Sequence, residues 1–341
     1  MYFRFLIVFL MMITFLPTAF AQQWAPVGDV GLRRDIELLK GYGIIHGPVN
    51  TWPMSWRQIT TNIEVSNHQP YPVHIMHAIK RVRSKIPNNK LRASAVARYT
   101  NEASLVRGFG NTARSDTDLT LSVGFTEKKI DVNVSVNYRN KVNLNNNNVN
   151  FDGSYVATTI GNWSLYVGAI DRWWGPGQDN TLLLSSNAKP MVSTGFRRIN
   201  PTPFNNKYLN WIGPWTWDMF LTNMGDNRHI PNTLMVGMRL GIEPFNNFEV
   251  GFSRTLQLCG NNRPCGINMW ARGLIAIGDL DNTITDYEPG NQLASIDIAH
   301  SIKFGDKNLR IYAEGTAEDI EVAIPYQYSR LVGFTMTTPI G

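Results

Sequence analysis

Asp171-Arg172-Trp173-Trp174 sets a carboxylate, a guanidinium and two indoles in direct succession. Such a set suits non-covalent recognition: rings cover apolar surface while charged and amide side chains bond hydroxyls and carboxylates. The competing reading is structural, with the tryptophans in an aromatic girdle and Asp171 paired to Arg172 or another charge. Arg107, Phe109, Arg114, Arg228, Arg263, Trp270 and Arg272 are further candidates of the same kind, each equally readable as ordinary loop surface. Covalent chemistry has no comparable footing. The chain holds no Gly-x-Ser-x-Gly and no His-Glu-x-x-His, and His300 has no evident serine partner. His74 and His77 share a helix face, but no third ligand accompanies them, so they read as surface histidines and no metal site is expected.

The elements that must position these groups begin with an export signal. Arg4 supplies the positive charge, Phe5 to Leu16 the apolar stretch and Ala19-Phe20-Ala21 the cleavage site, so residues 1–21 are expected to be removed. Export places Cys259 and Cys265 where a disulfide is favoured. Residues 22–88 then read as a helical segment. Asp29 can cap a helix that Gly41 and Gly43 stop, and Ser55 to Ile63 and Val73 to Ile86 are further helices. Lys80, Arg81, Arg83 and Lys85 cluster on the last one, as a solvated basic face or as a surface for anionic head groups.

From residue 89 the period changes to two. Ile130, Val132, Val134, Val136 and Tyr138 alternate with Asp131, Asn133, Ser135, Asn137 and Arg139, and Leu119 to Phe125 and Leu234 to Glu243 repeat the pattern. Tight turns at 127–129, 161–162, 244–247 and 305–308 alternate with long polar connections at 101–118, 140–150, 175–190, 225–232, 259–291 and 318–329. One long connection, 199–214, breaks the rule. Loops sorted by length, joining strands of roughly 10 residues, predict a mainly β fold: a transmembrane antiparallel outer-membrane β-barrel over residues 89–341, with the helical segment on its periplasmic side. A soluble β-sandwich would alternate too, but has no reason to sort its loops.

About twelve strands can be counted. Tyr99, Phe125, Tyr138, Trp163, Trp173, Trp215, Trp217 and Phe248 are girdle candidates. Asp131, Arg139, Arg239, Glu243, Glu249, Arg310 and Glu314 face the lumen, where mixed signs favour ion pairs over a transport path. With 43% hydrophobic and 17% charged residues among 341, the composition excludes disorder, and the net charge of +6 does not suggest nucleic acid.

Three blocks resemble one family. Gly31-Leu32-Arg33-Arg34-Asp35-Ile36-Glu37-Leu38-Leu39 with Val49-Asn50-Thr51-Trp52-Pro53-Met54-Ser55-Trp56 is similar to the N-terminal signature of capsule assembly Wzi proteins. Asp171 to Asp179 with Leu182 to Pro190, and Asn210 to Trp215 with Asp218-Met219-Phe220, follow in the family's order. The resemblance implies an outer-membrane barrel of about eighteen strands with a periplasmic helical bundle. It further implies a lectin that attaches capsular polysaccharide to the cell surface, its loops exposed outside. Capsular polysaccharide and outer-membrane lipid are the implied partners, and no cofactor or catalytic activity comes with the family.

Polysaccharide-binding candidates on this reading are Asp171, Arg172, Trp173, Trp174, Arg107, Arg114, Arg228, Arg263 and Trp270. A porin-like diffusion channel for small solutes would share the barrel and the polar lumen, so it stands as the alternative. Family members are longer by roughly a hundred residues, with about six more strands. Either the chain is cut short at its C-terminus or it is a naturally short member.

Overall fold

A strand sends successive side chains to opposite faces, so polar and apolar residues in strict alternation give a sheet whose two faces demand different surroundings. The computed structural model describes residues 23–65, 70–88, 90–104, 106–140, 148–275, 290–318 and 327–338; the expected signal segment lies outside them. The N-terminal part carries β1 (Trp24–Ala25), α1 (Val30–Gly41), β2 (Thr51–Trp52), β3 (Met54–Ser55), α2 (Trp56–Val65) and α3 (Val73–Lys85). The helices fall close to where the sequence placed them. Asp29 caps α1 by accepting from Leu32 N at 2.9 Å, satisfying one of the free N–H groups of the first turn.

The main sheet begins with β4 (Leu91–Tyr99), β5 (Thr117–Glu127), β6 (Ile130–Asn140), β7 (Val149–Asn150), β8 (Tyr155–Ile160) and β9 (Trp163–Ala169). After the short β10 (Trp173–Trp174), which lies outside it, the sheet continues with β11 (Val192–Arg198), β12 (Trp215–Asn223), β13 (Leu234–Phe245) and β14 (Phe248–Leu258). It ends with β15 (Gly290–Phe304), β16 (Lys307–Glu318) and β17 (Gln327–Thr337). Among the described residues thirteen strands form this antiparallel sheet, in chain order from β4 to β17, with β7 as an extra partner of β6. The turns at 128–129, 161–162, 246–247 and 305–306 have two residues each, with positive φ at Lys128, Gly161, Asn247 and Gly305. Backbone of that hand matches the twist of the strands it joins.

Register carries the alternation across the strands. Val123 faces Val134 on one side while Ser122 faces Ser135 on the other. On the outer face Leu121 is 62% exposed and Val332 82%, whereas on the inner face Asp131 and Arg310 are 0% and 1% exposed. This is the reverse of a water-soluble sheet and the arrangement of one immersed in hydrocarbon.

The sheet curls around the N-terminal segment, because strands far apart in its order touch it. Gln23 N donates to Asp131 of β6, Arg197 of β11 donates to Pro53 O, and Asn50 reaches both Asp297 of β15 and Arg310 of β16. Buried charge is tolerable only when paired, and here it is: Arg239 with Asp297 at 2.7 Å, Arg310 with Glu249 at 3.0 Å and Arg92 with Asp131 at 3.0 Å. The expected ion pairs are present at Asp131, Arg139, Arg239, Glu243, Glu249 and Arg310, whereas Glu314 instead accepts hydrogen bonds from Thr181 and Leu182.

The helices pack on one another through Leu32, Ile36 and Leu39 of α1 with Ile59, Ile75 and Val82. Two cations of the α3 basic face turn onto α1, Arg81 to Asp35 and Lys85 to Asp29. His74 meets the Tyr42 hydroxyl at 3.1 Å. The helices sit at the short-turn end: Tyr42 donates its hydroxyl to Asp306 O, and Asn247 Nδ2 donates to Gly41 O. The long connection 199–214 also lies at that end, where Phe204 stacks on Trp215 at 4.7 Å and Arg198 covers the same ring.

Candidate functional site

At the other end, the connection from β9 to β11 folds inward. β10 pairs antiparallel with β2, placing Trp173 opposite Trp52 and Trp174 opposite Thr51. Trp173 packs edge-on against Phe109, which meets Trp52 in the same way and lies under the Arg33 guanidinium at 4.5 Å. Trp174 packs on Phe220. Both tryptophans are 0% exposed. The expected stacking faces are therefore not available, and Trp173 is not a girdle residue either; both rings are the hydrophobic core of an inward-folded loop.

The residues that follow hold the fold-in together. Gly175 has φ +150, and a Cβ there would collide with Thr181 and Glu314. Arg33 donates to Pro176 O at 2.7 Å, Gln178 Nε2 donates to Glu37, and Leu182 N donates to Glu314. Arg172 is also turned inside. It donates to the Tyr166 hydroxyl at 2.9 Å and Ser193 Oγ at 2.7 Å, and its guanidinium lies 3.9 Å from the Phe220 centroid. The tight block from Asp171 to Asp179 thus joins loop, N-terminal segment and sheet.

Three predicted residues do come together, Arg107 buried and Asp171 the most open of them. Arg114 Nη2 bonds Asp171 Oδ1 at 2.8 Å, in a pair that leaves the Asp171 side chain 38% exposed. Arg107, beside them, donates to Ser186 O at 3.2 Å and to Thr112 Oγ1 at 3.1 Å. Burial, and then repulsion from Arg114, lowers the Arg107 pKa to about 10, so it remains a cation at neutral pH. Burial raises the Asp171 carboxyl from its ordinary value, with Arg114 and Arg107 opposing the rise.

Arg114 and Asp171 line a cavity of about 450 Å³ on the inner face of β4, β5 and β6. Thr120, Ser122, Asn133, Ser135 and Asn137 give it a hydroxyl and amide floor, and Trp24 and Tyr155, with ring centroids 5.0 Å apart, contribute an aromatic wall. Arg139 bonds Asp152 at 2.6 Å and lies 3.6 Å from Asp118. Asp118 Oδ1, Arg139 Nε and Trp24 Nε1 are buried without a hydrogen-bond partner. Buried polar atoms left in that state are costly and infrequent. Of the cavity's two other guanidiniums, Arg92 is paired with Asp131, and Arg98 donates among the described residues only to Asn111 O, at 3.1 Å.

The other predicted residues lie apart, and no described contact joins them to this group. Arg228 is exposed and reaches only Met224 O. Cys259 and Cys265 are disulfide-bonded, with Arg263 inside the small loop they close. Trp270, on α4 (Ile267–Ile275), packs against the cluster of Val236, Leu256, Leu258 and Cys259, while Arg272 is exposed on the same helix. Sequence reasoning passed over Arg98, Asp118, Asp152 and Trp24. The available signal was the polar series on β5 and β6, which marked a lumen face but not a cavity.

Residues 85–340 match the family described as capsule assembly protein Wzi. A 55.8 kDa protein from the cps region of Klebsiella pneumoniae is 29% identical over 281 residues, covering 81% of this chain. The chain spans 54% of that relative's length, about half. Among solved structures, Escherichia coli Wzi, an outer membrane protein involved in group 1 capsule assembly and a carbohydrate-binding β-barrel, superposes with a TM-score of 0.75 at 24% identity. That match covers 91% of this chain and 67% of the other and establishes the likeness of fold.

Proposed function

The chain belongs to the capsule assembly protein Wzi family, and we propose that it is an outer-membrane barrel protein holding capsular polysaccharide at the cell surface. The observation carrying this reading is the inverted sheet, apolar outside and ion-paired inside around the N-terminal segment. An apolar outer face asks for a bilayer, and a filled interior suits a holder better than a conduit. Residues 22–88 form the periplasmic unit on this account and residues 89–341 the barrel, because α1 lies at the short-turn end and short turns of such barrels face the periplasm. The long loops then face outward.

Each barrel would hold a sugar chain weakly, and many barrels engaging one long polymer would multiply that through avidity. The experiment is binding of purified capsular polysaccharide to the detergent-solubilised protein, recovered from the outer-membrane fraction. Length-dependent binding is expected. Recovery as a soluble periplasmic protein, or no binding at any polymer length, contradicts the proposal. A diffusion channel would instead show steady conductance in planar bilayers.

A further inference from the structure

We propose that the cavity between β4, β5, β6 and the Arg114–Asp171 pair is a subsite for a carboxylate-bearing sugar residue, deepening and resting on the polysaccharide-holding reading above. The volume of about 450 Å³ lies within the ~300–1,000 Å³ range of small-molecule pockets. Its contents are those a sugar needs: an aromatic wall at Trp24 and Tyr155 against a hydroxyl and amide floor.

Charge narrows the class. Every carboxylate of the cavity has its own cation: Arg139 serves Asp118, Lys189 joins Arg139 at Asp152, Arg114 holds Asp171, and the lining Arg92 is taken up by Asp131. Arg98 meets no carboxylate among the described residues and spends one N–H on a backbone carbonyl. One guanidinium in excess is the complement of one anionic group, and guanidinium bonds carboxylates through parallel N–H donors.

The buried unpartnered atoms point the same way. Asp118 Oδ1 wants a donor and Arg139 Nε wants an acceptor, and the two side chains approach to 3.6 Å. A sugar hydroxyl donates and accepts at once, so one hydroxyl satisfies both. Trp24 Nε1 is a further donor on the wall.

The test compares cellobiouronic acid with cellobiose, which differ in one carboxylate, by titration calorimetry and saturation-transfer NMR on the purified full chain. Wild type is expected to prefer the acid about tenfold or more, the worth of one charge-assisted bond. Arg98→Ala should abolish that preference, and Arg98→Lys should restore part of it; folded protein is verified by heat-modifiable gel mobility. Equal affinities in wild type, or a preference that survives Arg98→Ala, overturn the subsite. Either result leaves long-polymer binding to the same protein as the separate test of the holding function, so the two failures are told apart.

Discussion

Lys40 of α1 meets Glu243 of β13 across 2.5 Å, with both side chains almost wholly out of water. Glu243 also accepts from Gly47 N and from Asn247 N, and Lys40 donates to Gly47 O, so the pair locks the helical segment to the sheet. Removing one member of such a pair strands a buried charge, at about 3–5 kcal/mol. Lys40→Met should therefore lower the temperature at which the folded gel band is lost. Adding Glu243→Gln should recover part of the loss, and a double-mutant cycle measures the coupling.

The inward-folded tryptophan loop makes a second prediction. Arg172→Ala with Trp174→Ala removes contacts to Tyr166, Ser193 and Phe220 and opens a core cavity. A buried Trp→Ala change alone costs about 3–5 kcal/mol. Folded protein in the membrane should fall sharply, and any loss of bound polysaccharide should track that fall. A double variant normal in amount and mobility would contradict the buried placement.

For the disulfide, alkylation followed by mass spectrometry should find Cys259 and Cys265 without free thiols. The loop they close is shorter than the 15 residues for which closure is worth about 3 kcal/mol. Cys265→Ser should accordingly speed cleavage within residues 259–265 by a protease of broad specificity, such as proteinase K, while leaving the unfolding temperature nearly unchanged.

Asp171 sets a pH dependence whose sign follows from burial. Its carboxyl, raised above the ordinary 3.8, binds its proton more tightly in the folded chain than in the unfolded one. The stability this contributes is fully present below the ordinary value and is lost as pH rises through the raised one. Arg114, Arg107 and Arg139 oppose the rise and Asp152 adds to it. Asp171→Asn should flatten the stability profile just above the ordinary carboxylate range, read as unfolding temperature against pH.

The period-two pattern of Ile130 to Arg139 was legible because strand geometry is local: inward and outward sides are decided residue by residue. Asp29 was legible as a cap for the same reason. Trp173 and Trp174 were not, because aromatic residues near a strand end look alike whether they face lipid or fold inside. What places them is a short pairing with Thr51 and Trp52, more than a hundred residues earlier. Gly175 was the available clue, since a glycine in that conformation marks a turn too tight for a side chain. The cavity was illegible for a related reason. Arg98 and Asp118 are register partners on β4 and β5, but the pairing of those strands, and the loop that brings Asp152 beside them, is long-range information that no local pattern carries.

The most direct measurement of the holding function is the division of capsular polysaccharide between cells and medium. A strain lacking this protein is compared with the same strain carrying it again. The account predicts that total polymer is unchanged, that most of it moves from the cells to the medium when the protein is missing, and that restoring the wild-type chain returns it. Cells that lack the protein yet keep their capsule in the normal amount would contradict it.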